Sequence, residues 1–189
     1  MQYKIGIFGS AAGNFEQIIP LAHTLGRLLS KEDVILITGA GHGIPYEVAH
    51  TAAAAGTEIW GFPPTTTLEQ LKDYSPEADM NIYKKLFYVP TDFPFLNNIG
   101  ACRQYRNLTA TATADAGIVI SGRWGAMSEF TALREMGKTI GVCAGTGGIT
   151  DELERLTETF QKPSTGKVIF NDDPEELIKQ VLAELEKNK

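Results

Sequence analysis

One punctuation mark, used four times, constrains this chain more than anything else in it. A short apolar run rich in β-branched residues ends in glycine, and a helical pattern follows, at Gly9, Gly39, Gly122 and Gly145. The runs are Tyr3–Phe8, Val34–Ile37, Ala116–Ile120 and Thr139–Val142, each of a length and content that suit a buried strand. Glu58–Phe62, closed by Pro63-Pro64, Lys85–Val89 and Val168–Phe170 read as further strands. Between them, apolar residues at helical spacing predict helices over Glu16–Leu29, Pro45–Ala55, Thr67–Tyr74, Leu96–Ala114, Met127–Met136, Asp151–Phe160 and Pro174–Lys187.

Strands that alternate with helices imply a parallel sheet covered on both faces. The expectation is one α/β domain over residues 1–189, a Rossmann-like three-layer αβα fold with a mostly parallel central sheet of six or seven strands. An irregular insertion at about 65–94 is expected near the mouth of a site, since long loops in compact domains usually serve function. The glycines all fall at carboxyl ends of strands, where open α/β sheets bind their ligands.

Among these loops, Ser121–Phe130 (SGRWGAMSEF) is the most informative. A glycine turn between a buried strand and a helix gathers free backbone N–H groups at the positive end of a helix dipole, which suits a phosphate. Gly122, Gly125 and Ala126 are candidate phosphate contacts, with Arg123 between the glycines as a charge. So are Gly9 and Ser10 of the first loop (GSAAGN), and Gly39, Gly41, His42 and Gly43 of the second (GAGHG). Glu129 is expected in the first turn of its helix, close to anything the loop holds. On the helix Leu96–Ala114, Leu96, Ile99, Cys102, Tyr105, Leu108 and Ala112 form the apolar face, while Arg103 and Arg106 share the opposite one. A guanidinium there can hold a phosphate in a forked contact.

Composition narrows the alternatives. The formal net charge is −6, which argues against a polyanion surface and hence against nucleic acid as a partner. Cys102 and Cys143 form no CxxC pair, which suggests reduced, buried thiols in a cytoplasmic protein. No apolar run approaches the about 18 residues of a membrane span, and the apolar stretch after Met1 is too short for a signal peptide. His23, His42 and His50 lack metal-ligand spacing with an acid, so no metal is expected. Neither glycine loop has GxGxxG spacing, and no Walker-type loop is present, so no dinucleotide cofactor is expected either.

Taken together, TGAGHGIPYEVA, the arginine helix and SGRWGAMSEF resemble the LOG-type proteins, long mislabelled lysine decarboxylases, in a divergent branch near the molybdenum cofactor carriers. The resemblance runs from Tyr3 to about Arg155. Against the family pattern PGGxGTxxE, Gly122, Gly125 and Glu129 match, whereas Ser121, Arg123 and Ala126 replace Pro, Gly and Thr. Arg106 matches the family's catalytic arginine, and Asn107 replaces the lysine beside it. The resemblance implies a homodimer with sites near the interface and catalytic roles for Arg106 and Glu129. The implied reaction is hydrolysis of the N-glycosidic bond of nucleoside 5′-monophosphates, without a cofactor. The departures from the pattern favour a rival, a non-catalytic carrier or sensor of a phosphate-bearing ligand such as molybdenum cofactor.

Overall fold

The computed structural model describes residues 2–11, 16–161 and 163–187. Ala12, Gly13 and Asn14 of the first glycine loop lie outside them. The strands are β1 (Tyr3–Gly9), β2 (Val34–Thr38), β3 (Glu58–Gly61), β4 (Tyr83–Leu86), β5 (Ala116–Ile120), β6 (Thr139–Cys143) and β7 (Val168–Asn171). They form one sheet in the order β4-β3-β2-β1-β5-β6-β7, and every neighbouring pair is parallel. The helices are α1 (Ile19–Leu29), α2 (Ile44–Ala54), α3 (Leu68–Tyr74), α4 (Ile99–Thr113), α5 (Trp124–Glu135), α6 (Thr150–Thr159) and α7 (Pro174–Lys187).

Alternation along the strands builds a core on each face. Ile5, Ile7, Leu36, Ile118 and Ile120 point to one side, where α1, α2 and α7 cover them. Phe8, Ile37, Val119, Ile140 and Val142 point to the other, with Phe130 and Leu133 of α5 and Leu153 of α6. These strand residues are all but fully buried, and each large aliphatic side chain so buried contributes about 1.5–3 kcal/mol. The result is a three-layer Rossmann-like α/β fold. Among the described residues, no helix is long and apolar enough to cross a membrane.

Several element limits differ from the sequence-based expectation. The strand expected at Lys85–Val89 forms instead at Tyr83–Leu86, where a register shift between Ile59 and Trp60 accommodates it. Beyond Leu86 the chain stays alongside through single bonds, Phe87 N to Gly61 O and Val89 N to Thr65 O. The helix expected from Leu96 starts at Ile99, because the Asn98 side chain accepts from Ala101 N at 3.1 Å and caps it there. The helix expected from Met127 starts earlier, at Trp124, which moves Glu129 from the first turn to the second.

The largest correction concerns α4. Leu96, Ile99 and Leu108 are 38%, 45% and 54% exposed, and Ala112 is exposed too. Cys102, Asn107, Ala110 and Thr111 are the buried residues. Small Ala110 and Thr111 let the helix lie close to the sheet, and that same orientation swings Arg106 inward.

Candidate functional site

The chain leaves β1 for β2, β3 and β4 on one side of the sheet and returns through β5 on the other. The crevice at the carboxyl ends of β1 and β5 is therefore the switch point at which parallel sheets of this kind hold ligands. Two non-glycine residues with positive φ sit at this edge, Ala40 (φ 50°) after β2 and Ser121 (φ 53°) after β5. Such conformations are costly for residues with a Cβ and cluster at functional sites.

After β5 the turn is completed by Gly122 (φ 106°), a conformation that favours glycine. A Cβ there would also collide with that of Ala126. Arg123 is the N-cap of α5 in extended conformation, and its side chain does not cap the helix. The first amides of α5, those of Trp124, Gly125 and Ala126, consequently have no carbonyl within the helix to bond. The glycine loop after β6 braces this turn rather than lining a cavity. Ser121 N donates to Thr146 Oγ1 at 2.8 Å, Thr146 Oγ1 donates to Cys143 O at 2.8 Å, and Ile149 N donates to Gly122 O at 2.8 Å.

The loop after β2 uses its polar groups differently. Ala40 N donates to Thr38 Oγ1 at 3.2 Å, and His42 N donates to Ser75 Oγ at 3.0 Å. Ile44 N donates to Ser10 O at 2.9 Å, which ties the first loop to the start of α2. These amides are spent within the loop, on Ser75 and on the first loop, so α2 offers less to an anion than α5 does.

Arg106 reaches the same place from α4. Its guanidinium lies over Gly39, and a Cβ on that residue would fall on Nη1. Its Nε is buried without a hydrogen-bond partner among the described residues. Glu129, 6% exposed, faces the same cavity from α5. Burial pushes its carboxyl up to about 7, and the Arg106 charge pulls partly the other way.

These groups enclose a cavity of about 320 Å³. Gly9, Ser10, Gly39, Gly41, His42, Arg103, Arg106, Arg123, Gly125, Ala126 and Glu129 all line it. Gly43 and Gly122 do not. Gly43 is the N-cap of α2, packed against Ser10 and Ala11, and Gly122 shapes the turn. Tyr74 at the end of α3 lines the cavity although the sequence did not single it out, as do Thr38 and Pro45. A larger, shallower groove of about 660 Å³ lies at the opposite edge, by His50, Glu58, Asp79 and Lys84. It has neither converging arginines nor a glycine turn, so the smaller cavity is the candidate site. Among the described residues, no group of three or more His, Cys, Asp or Glu side chains is arranged to hold a metal.

Three arginines around one cavity, with a largely desolvated carboxyl and the amino end of α5, make the site positive within an acidic chain. A phosphate group fits this arrangement by charge and by its demand for N–H donors.

Solved structures that share this fold include TM1055, which is 18% identical with a TM-score of 0.77 over 96% of this chain and 99% of that one. The molybdenum cofactor binding protein of Rippkaea orientalis is 17% identical with a TM-score of 0.72, over 97% of each chain. DNA processing protein A of Helicobacter pylori, described by its single-stranded DNA binding mode, is 18% identical with a TM-score of 0.67. That likeness covers 96% of this chain and 80% of that one. The expected exclusion of nucleic acid rests on net charge alone, whereas three arginines gather locally at the cavity. No curated protein matches the chain in sequence. The SLOG cluster4 family model matches residues 2–178. The resemblance to LOG-type proteins, in a branch near the molybdenum cofactor carriers, is upheld, and the chain belongs to the SLOG cluster4 family.

Proposed function

We propose that the cavity binds a phosphorylated nucleotide and that Glu129 acts on its N-glycosidic bond. The observation that carries this reading is the meeting of Arg106, seated on Gly39, with buried Glu129 beneath the open amino end of α5. The 5′-phosphate lies against the amides of Trp124, Gly125 and Ala126, with Arg106 and Arg123 adding charge. As the bond from ribose C1′ to the base lengthens, positive charge grows on the sugar. The ionised Glu129 stabilises that charge and orients the water that adds to C1′. The base departs with a proton and ribose 5-phosphate remains. Because burial pushes the Glu129 carboxyl up to about 7, kcat/KM is expected to rise as pH climbs through about 7.

A carrier role is the second reading, and Ala126 favours it. The family's threonine would place a hydroxyl on the phosphate, and here a methyl group stands instead. The molybdenum cofactor protein of R. orientalis offers the precedent within this fold. Incubation with a panel of nucleoside monophosphates, with free base followed by chromatography and thermal shift alongside, separates the two. A short single-stranded oligonucleotide and a molybdopterin source complete the panel. Base release supports the hydrolase; stabilisation without release supports the carrier. Arg106→Ala is expected to weaken adenosine 5′-monophosphate (AMP) binding by roughly thirtyfold, about 2 kcal/mol for a charge-assisted contact. Unchanged binding by that variant would remove the proposed site.

The homodimer belongs to the same reading. Ile99 and Leu108 of α4 are 45% and 54% exposed, and Trp124 of α5 is 84% exposed. An apolar surface of this kind on a helix pair beside a site suits a second copy of the chain. Light scattering is expected to give twice the 20.6 kDa of one chain. Leu108→Glu is expected to halve that mass. Free, buried Cys102 and Cys143 suit a reducing, cytoplasmic setting.

A further inference from the structure

The short helix α3 ends in Tyr74, which lines the cavity, and Ser75 follows it against His42. Ser75 Oγ accepts from His42 N at 3.0 Å and lies 3.2 Å from His42 Nδ1. Tyr74 Oη accepts from Arg103 Nε at 3.0 Å, and the Arg103 guanidinium carbon lies 5.6 Å from the Tyr74 ring centre. Arg103 and Tyr74 both line the cavity, and they are 29 positions apart in sequence. An arginine has five N–H donors in a rigid plane. Engaging Nε along one edge leaves the fork formed by the two Nη nitrogens available for a carboxylate or phosphate. Arg103 is exposed, and an arginine that is free to wander must surrender rotamer entropy before it can grip an anion. The tyrosine removes that demand in advance by holding the side chain from below and from one side.

We infer that Tyr74 is a positioning residue that presets Arg103 to take phosphate oxygens at the mouth of the cavity. The inference rests on the phosphate-binding reading of the site and names a residue that reading does not use. It separates two roles among the arginines. Arg106 lies over Gly39 inside the cavity, and Arg103 is held from outside by α3.

Calorimetric titration of AMP into wild type, Tyr74→Phe, Arg103→Ala, the double variant and Arg106→Ala tests this. Tyr74→Phe removes one oxygen and is expected to weaken binding about fivefold, and Arg103→Ala about tenfold. In the Arg103→Ala background, Tyr74→Phe is expected to change affinity by less than about twofold, since the group it positions is gone. An equal loss in both backgrounds makes Tyr74 a structural tether of α3 and overturns the inference. If Tyr74→Phe fails to fold, Arg103→Lys serves: it keeps the charge but has neither Nε nor a fork, and wild-type affinity would overturn the inference. Binding lost in Arg106→Ala yet untouched in Tyr74→Phe removes the inference alone. No AMP binding by the wild type removes the phosphate reading and the inference together.

Discussion

Gly39→Ala is expected to leave the protein folded and its anion site disabled. The new Cβ would occupy the position of Arg106 Nη1, with the guanidinium carbon at 2.5 Å and Nη2 at 3.1 Å. What it meets is the tip of a long, flexible side chain, so the backbone need not shift; the guanidinium does. Among the described residues Arg106 Nε has no hydrogen bond to hold it in its seat, so the guanidinium can yield to the new methyl group. Gly39 is not among the residues with positive φ, and alanine at such a position usually gains about 0.4–1 kcal/mol by restricting the unfolded chain. Melting temperature should therefore stay level or rise slightly. AMP affinity should fall by roughly thirtyfold, about 2 kcal/mol, the loss expected for Arg106→Ala itself. Combining the two substitutions should add nothing, because both remove one contact. Wild-type affinity in Gly39→Ala would mean that the guanidinium works from elsewhere, and the site described above would have to be abandoned.

That glycine shows what was legible in the sequence. A β-branched run followed by glycine marks the end of a strand, and repetition of the mark puts Gly9, Gly39 and Gly122 at one edge of the sheet. Why Gly39 must be glycine was not legible, because the atom that excludes a Cβ belongs to Arg106, 67 positions away in sequence. The apolar stripe of α4 misleads for a related reason. Periodicity finds a face that avoids water but does not say what covers it. Leu108 turned outward and Arg106 inward because small Ala110 and Thr111 pack on the sheet. Tyr74 was missed because its segment has no strong period, and its meaning comes from Arg103, a contact made across the fold. The motif marks Glu129 but does not fix its turn, which depends on where α5 begins. Counting the helix from Met127 overlooked that Trp124 and Gly125 already adopt helical conformation.

Moving Glu129 to the second turn changes what Glu129→Gln should do. An acid in a first turn is exposed and mildly stabilising, whereas Glu129 is 6% exposed and held up to about 7 by burial. Its folded-state value lies above the unfolded value of 4.5. Its favourable contribution is therefore complete below pH 4.5 and is lost as pH rises through 7. The gap corresponds to at most about 3 kcal/mol at alkaline pH. Glutamine keeps the shape and never ionises. Glu129→Gln should thus match wild type near pH 4.5 and melt several degrees higher at pH 8, a difference calorimetric scans across pH would reveal. A stability difference independent of pH would mean that the carboxyl is solvated and not buried. Catalysis should respond in the opposite sense. If Glu129 stabilises the developing sugar cation, Glu129→Gln should cut base release by about a hundred- to a thousandfold, the scale of removing one transition-state electrostatic contact. AMP affinity should hold or tighten, because a negative charge beside the phosphate has been removed. In the wild type the bound phosphate should raise the carboxyl further, so AMP binding near pH 7 should draw a proton from buffer. That uptake is measurable as a dependence of binding enthalpy on buffer ionisation enthalpy, and it should vanish in Glu129→Gln. A proton uptake that survives the substitution would place the titrating group elsewhere and leave Glu129 as a buried acid with no part in the ligand's chemistry.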